Sequence, residues 1–298
     1  MIARRSPSKH DASEAAEAPG LVTFLSDYGL DDAFVGVCKG VMAQIAPAVR
    51  VIDICHLVAP QAVDQGATIL ASAVAYLPTA VHLALVDPFG KTASRGVAVQ
   101  TAAGSVVVAP DNGVASQAWT ALGGAVAAYE LAEPALWLPN PSRTFRGRDV
   151  FAPVAAHLAS GTPVSSVGPE VAIESLVSLR LREPTVDDDH VHGEVRTVDH
   201  FGNLALNIRR SDLEVAGIAL GDRIELRCGG KTMQVPFTLT YGDVPPGRVT
   251  VCEDSFRLIT VAVNLGNAAR TLRAGRGDAV VLARVPVPAP VSAGRIGI

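Results

Sequence analysis

The sequence predicts an α/β fold: an N-terminal, mainly parallel α/β sandwich domain followed by a smaller C-terminal all-β, barrel-like domain. Three observations predict it. Residues 21–25 (LVTFL), 49–54 (VRVIDI), 81–86 (VHLALV) and 105–109 (SVVVA) are short, continuous, apolar runs rich in Val. Hydrophobicity that continues rather than alternates marks strands buried on both faces, as in a parallel sheet. Helix-period patterns separate the first of these runs, and after Arg182 the chain changes to alternating runs joined by short turns.

Phe34, Cys38, Val41 and Ile45 recur at helical spacing, with Asp31 and Asp32 as capping candidates ahead of them and Pro47 behind. Val63, Ala67, Leu70 and Val74 repeat the pattern until Pro78, and a third helix is expected from about Asp149 to just before Gly161. The α/β domain therefore spans 20–182. The polar, Pro-containing segment EPTVDDD (183–189) reads as a linker. The β domain, 190–298, carries VHGEVRTV (191–198), DRIELRC (222–228), TMQVPF (232–237), FRLITVAV (256–263) and AVVLARV (279–285). One short helix is expected over 267–272. Residues 1–19 are mixed and charged, lack the apolar stretch of a secretory signal, and read as a flexible tail.

Bulk properties narrow the function. With 298 residues, 49% of them hydrophobic, the chain has enough apolar material for a full core in each half. A net charge of −4 gives no electrostatic reason to expect nucleic-acid binding. Mean hydropathy is +0.31, yet no apolar run approaches the ~18 residues a membrane helix needs, so a soluble protein is expected. The four cysteines have no CxxC spacing, and Cys38 and Cys55 sit inside apolar runs as expected buried thiols. That usage fits a reducing, cytoplasmic compartment.

The polar clusters fall where such a fold binds ligands. SDYGLDD (26–32) follows the first strand, at the carboxyl edge of the sheet. Asp27 there could accept two hydrogen bonds from a vicinal diol such as a ribose, each worth roughly 1.5–3 kcal/mol; Asp31 or Asp32 could face an ammonium group. The plainer alternative is a turn with a helix cap. Neither GxGxxG nor GxxxxGKS is present, which argues against phosphate binding. VDPFGKTASR (86–95) and APDNG (109–113) open on the same edge, and TFRGRD (144–149) sets two arginines before a helix. That last motif is either a solvated charge pair or an anion- or water-directed helix start. In the second domain, VDHFGNLALNI (198–208) groups Asp199, Phe201 and Asn203 around a glycine. The histidines lack metal-ligand spacing and read as structural or exposed, and there is no GxSxG elbow.

Read together and in order, SDYG…DD…CKG (26–40), ICHLVAPQAVDQGA (54–67), VDP…T (86–92), APDNG, FRGRDVFAPVAAHLA (145–159), DHFGN…NI (199–208) and EDSF…VAVNLGNAA (253–269) resemble one family. It is that of the S-adenosylmethionine hydroxide adenosyltransferases, relatives of the fluorinase and chlorinase. The resemblance covers about residues 20–275. It implies attack at C5′ of S-adenosylmethionine with methionine leaving, no metal or other cofactor, and a homotrimer with sites between subunits. Carried over residue by residue, it implies that Asp27 grips both ribose hydroxyls. Asp32 and Asp199 would hold the methionine ammonium and Ser255 its carboxylate. Asn203 and the backbone at Asn264 and Leu265 would meet adenine, with Tyr241 stacked nearby and Phe201 in the same turn.

The resemblance departs from the family around the nucleophile. The hydroxide enzymes carry an Asp in VDPGVGT, an Arg seven residues later and a His in FHGRD. Here Asp87 matches the first, Ser94 stands at the Arg position with Arg95 one place on, and Arg146 replaces the His. Gln61 stands where the halogenases place a Trp, and Gly147 where the fluorinase has a halide-binding Ser and the chlorinase a Gly. The leading expectation is hydrolysis to adenosine and L-methionine, with Asp87, Arg95 and Arg146 holding the attacking water. The alternatives are a binding protein without turnover and a halide-dependent 5′-halo-5′-deoxyadenosine synthase.

Overall fold

Leu21–Ser26 buries all six of its side chains, as a strand flanked on both sides and covered on both faces must, and forms β1. The computed structural model describes residues 18–86 and 95–285, which divide into two compact units at Leu179/Arg180. In the first unit β1 lies between β2 (Arg50–Cys55) and β3 (Val81–Leu85), parallel to both. Next to β3 runs β5 (Val106–Pro110), also parallel, and beyond it β4 (Gly96–Thr101) and β6 (Ala125–Glu130), both antiparallel to their neighbours. The sheet order is β2-β1-β3-β5-β4-β6.

The parallel core matches the sequence reading; the antiparallel extension was not foreseen. β4 and β5 are joined by only residues 102–105, with Gly104 at φ +83°, and so short a connection can join only antiparallel strands. β2 was expected to be buried on both faces. It is the sheet's edge strand, and Ile52 is 43% exposed. Cys38 is buried as expected, whereas Cys55, at the end of that edge, is only half-buried.

Helices α1 (Phe34–Ile45), α2 (Val63–Val74), α3 (Ser116–Ala121) and α4 (Ala152–Ala159) cover the sheet. One face packs Val22, Phe24, Leu83 and Leu85 against Val35, Cys38 and Met42 of α1 and Val154, Ala155 and Leu158 of α4. The other packs Leu25, Ala84 and Val107 against Leu70 and Val74 of α2 and Ala118 of α3. Strand residues alternate between the two layers, as the pleat requires. The cap expected of Asp31 or Asp32 is absent: α1 starts after Ala33 with no side-chain cap, and both aspartates are exposed.

In the second unit the order is β11-β10-β14-β8-β9-β13-β12, with β7 on β8. The strands are β7 (Thr185–Asp187), β8 (His190–Val198), β9 (Leu204–Leu206), β10 (Arg223–Cys228), β11 (Lys231–Pro236), β12 (Val249–Glu253), β13 (Ile259–Val263) and β14 (Ala279–Arg284). All ladders are antiparallel, and a Phe237–Val251 bridge joins the two ends of the sheet into a nearly closed barrel. Val191, Leu204, Leu226, Val261 and Leu282 fill it. The segment read as a linker contains β7, because Val186 pairs with Val191 and packs on this core. Helix α6 (Ala268–Leu272) lies where a helix was expected, while α5 (Arg210–Val215) was not anticipated. Among the described residues no helix is long and apolar enough to cross a membrane.

Candidate functional site

The carboxyl edge of the first sheet gathers the candidates of that unit. β1 ends at Ser26, and the Asp27 amide continues its ladder by donating to Leu85 O on β3 at 3.2 Å. Asp27 then turns its carboxylate across to the loop after β2, where Oδ2 accepts the Gln61 N–H at 2.9 Å. Gln61 is in the left-handed region, φ +63°, a conformation that aims its amide at a cost non-glycine residues rarely bear. The Gly29 amide also donates to His56 O at 2.8 Å. Two loops from neighbouring strands are thus laced together around Asp27.

Next to it, Tyr28 sits among Phe24, Phe34 and Phe145, with ring centroids 6.4, 5.9 and 5.9 Å away. Burial pushes its phenol well above the usual range, with Cys38 and Asp27 adding to the effect, so it stays protonated. Its hydroxyl lies against Gly147: a Cβ on residue 147 would fall 2.0 Å from Tyr28 Oη. The first loop and the TFRGRD segment therefore meet directly.

That segment winds into a π-helical turn, Gly147–Phe151, that runs on into α4. Of its two arginines, Arg148 grips Asp149 with two bonds of 2.6 and 2.9 Å and lies over the Phe145 ring. Asp149 is buried and also accepts the Ser142 N–H at 2.7 Å. The Arg148 hydrogen bond, with that amide, holds its carboxyl below the usual range. Arg146 instead sets its guanidinium 5.5 Å from the centre of the Phe151 ring.

Arg95 is held by Asp111 of the APDNG motif (Nε to Oδ2, 2.9 Å) and by Ser175 through Nη2; none of these bonds uses Nη1. Asn112 of the same motif donates to Val86 O, the last described residue before Asp87. Asp87 and Ser94 lie outside the described residues. Asp32 is exposed in the loop between Asp27 and α1.

In the second unit Asp199, Phe201, Asn203, Tyr241, Ser255, Asn264 and Leu265 all line one cleft of about 710 Å³, within the size range of small-molecule sites. These are all seven candidates of that unit. Asp199 is the knot of the first wall: Oδ1 accepts the amides of Phe201 and Asn203 at 2.9 and 2.8 Å, and Oδ2 accepts Asn203 Nδ2 at 2.8 Å. Asn264 is pinned by its Nδ2 to Val244 O at 2.6 Å, which leaves Leu265 projecting at φ +51° and 88% exposed. Ser255 rides on a turn closed by Asp254, whose Oδ1 accepts the amides of Phe256 and Leu258. Tyr241 lies near enough to Cys252, Asp254 and Asp199 that, on top of burial, they raise its phenol pKa.

Sequence reasoning missed Tyr28, His56, Val263 and Gly266, the last two of which also line the cleft. Tyr28 and His56 each stand at a strand end inside a motif already singled out, the only signal that could have found them. Among the described residues no group of three or more His, Cys, Asp or Glu could hold a metal ion.

Comparison with known proteins bears on both units. Residues 22–168 match the family model of the SAM hydroxide adenosyltransferase N-terminal domain, and 193–281 that of its C-terminal domain. The (R)-S-adenosyl-L-methionine hydrolase of Salinispora arenicola is 47% identical over 259 residues, covering 86% of this chain and 95% of the relative. The hydrolase of the same name from Thermus thermophilus is 41% identical, over 88% and 98%. A fluorinase of Nocardia brasiliensis is 31% identical over 75% and 83%. A solved structure of a conserved protein from Thermotoga maritima superposes with a TM-score of 0.84 at 36% identity, covering 88% of this chain and all of that one.

Proposed function

Because the chain belongs to the SAM hydroxide adenosyltransferase family, we propose that it cleaves S-adenosyl-L-methionine at C5′ with water or hydroxide, giving adenosine and L-methionine. The observation that carries this reading is the pattern of relatives: three proteins named as hydrolases match at 41–47% identity over most of the chain, whereas the fluorinases, like a more distant fourth hydrolase, match at 28–31%.

The chemistry asks little of the protein beyond placement. A sulfonium is already an activated leaving group, so in-line attack by water at C5′ needs orientation and a partly desolvated nucleophile rather than a metal or an organic cofactor. In this reading Asp27 grips the ribose diol, its negative charge strengthening both bonds. Gln61 supports it through the 2.9 Å amide contact. Asp32 and Asp199 take the methionine ammonium, Ser255 its carboxylate, and Asn203, Tyr241, Phe201 and the Asn264–Leu265 backbone take adenine. Asp87, Arg95 and Arg146 hold the water, and two guanidiniums beside it lower its pKa.

Halide transfer is the weaker alternative. In this reading a halide would have to lie near the carboxylate of Asp87, which repels it. The reading also includes a cytoplasmic homotrimer with sites between subunits, which predicts a light-scattering mass of three times the 30.8 kDa chain.

The test is incubation of the purified protein with S-adenosylmethionine, with and without chloride or fluoride, followed by chromatography of the nucleosides. Adenosine in every arm is expected, unaffected by chelator. A halonucleoside, or tight binding with no product, would overturn the reading.

A further inference from the structure

His56 is a buried titratable side chain that touches the Asp27 segment and has no part in the proposed chemistry. It follows β2, is 5% exposed, and stands edge-on to Phe24 with ring centroids 4.7 Å apart. Its Nδ1 is 2.7 Å from Ser26 Oγ, immediately before Asp27, and that oxygen also accepts the Tyr28 amide, immediately after it. Its carbonyl oxygen accepts the Gly29 amide. One residue thus contacts both sides of Asp27. On the far side of the ring, Nε2 lies 3.2 Å from Asp53 Oδ1, and Asp53 is anchored by Lys39 of α1 at 2.9 Å.

Nδ1 pairs with the Ser26 hydroxyl, while Nε2 faces Asp53 across 3.2 Å without making a hydrogen bond. The chain of contacts runs from helix α1 to the tip of β1. The structure therefore assigns His56 as a positioning residue: through Ser26 it sets the direction of the strand end that aims the Asp27 carboxylate. This inference rests on the reading of Asp27 as the ribose ligand. A group that orients a binding residue should act on affinity shared by substrate and product, so its loss raises KM with kcat little changed.

The experiment measures KM and kcat for S-adenosylmethionine, adenosine affinity by calorimetry, and Tm, in wild type, His56→Leu, His56→Asn and Ser26→Ala. His56→Leu and Ser26→Ala are expected to raise KM and adenosine Kd by roughly tenfold, the scale seen when the support behind a binding group is removed, with kcat within about threefold. His56→Asn keeps an acceptor near the Nδ1 position and is expected to restore most of that affinity. A folded Ser26→Ala variant with unchanged KM and Kd, altered only in Tm, would overturn the assignment even if His56→Leu failed to fold. So would a His56→Asn variant as impaired as His56→Leu. Wild-type protein that neither cleaves S-adenosylmethionine nor binds adenosine would instead bring down the functional reading, and this inference with it.

Discussion

The Asp27 carboxylate accepts the backbone N–H of Gln61 through Oδ2 at 2.9 Å, so the same group proposed to hold the sugar also ties the loop after β1 to the loop after β2. The two duties separate in Asp27→Asn. The amide oxygen can still accept from Gln61, and the fold should keep its Tm. The charge is lost, and with it part of two charge-assisted bonds. We expect adenosine to bind more weakly by about 1.5–3 kcal/mol, which is roughly 10- to 150-fold in Kd, measured by calorimetry. Unchanged affinity would remove Asp27 from the site.

Gly147 and Tyr28 form a second pair that can be tested. A methyl group at 147 would lie 2.0 Å from Tyr28 Oη and 3.1 Å from Leu85 Cδ1, in a layer whose sheet residues are fully buried. Gly147→Ala should therefore cost about 1–3 kcal/mol as overpacking. In the background of Tyr28→Phe, which removes the oxygen, the cost should shrink. A double-mutant cycle in urea with a coupling below about 0.5 kcal/mol would show that the hydroxyl is not what excludes a side chain.

How much of this was readable beforehand follows from how local each signal is. Continuous apolar runs gave away β1, β3 and β5, because burial on both faces leaves few polar residues in the strand, here Thr23, Ser26 and His82. Asp27 stood out as a charge at the end of such a run. The seven residues of the second unit were visible because motif order survives even where each motif is short. The unread features depend on partners distant in sequence. Val97 of β4 pairs with Glu130, Ser26 with His56 thirty positions on, and only a glycine fits at 202 because Asn267 lies against it. Asp31 and Asp32 misled for the opposite reason: local capping chemistry was present, but the chain enters α1 through Ala33 without it.

Acid should destabilise the first unit in two windows. His82 is fully buried between β1 and β5, with Nδ1 2.8 Å from Thr23 Oγ1, and burial lowers its pKa to about 4. The unfolded chain then binds more protons between about pH 6.5 and pH 4, so stability is full above 6.5 and falls as pH drops toward 4, by about 3 kcal/mol in all. His82→Asn keeps a partner for Thr23 and cannot titrate. Its Tm should be flatter than wild type across that window; parallel curves would contradict the burial argument.

Asp149 governs the lower window. Its pKa is depressed by Arg148 and the Ser142 amide, so its contribution is present above the unfolded carboxyl range near 4 and is lost as pH falls through the lower folded value. Asp149→Asn should lower Tm at neutral pH by removing the bidentate Arg148 pair and should erase that part of the slope below about pH 4. Differential scanning of both proteins from pH 2 to 5 measures it. An identical slope in the variant would assign the acid transition to other carboxylates.

Asp199 yields the sharpest prediction about the cleft, because its bonds give it a task besides the proposed one of meeting an ammonium. Oδ2 accepts Asn203 Nδ2 at 2.8 Å, which fixes the Asn203 carboxamide with its NH2 toward Asp199. In Asp199→Asn, Oδ1 can keep the Phe201 and Asn203 amides, but the new NH2 then faces the Asn203 NH2, donor against donor. The Asn203 carboxamide must rotate by half a turn to present its oxygen, which exchanges donor and acceptor on the side facing the cleft. Adenosine has no ammonium group, so a residue that served only the methionine end would leave its affinity unchanged. The structure predicts instead that Asp199→Asn weakens adenosine by about tenfold, the equivalent of ~1.4 kcal/mol, as well as S-adenosylmethionine. If Asp199→Asn instead impairs S-adenosylmethionine while adenosine binds as in wild type, the Asp199–Asn203 bond has no part in orienting the base.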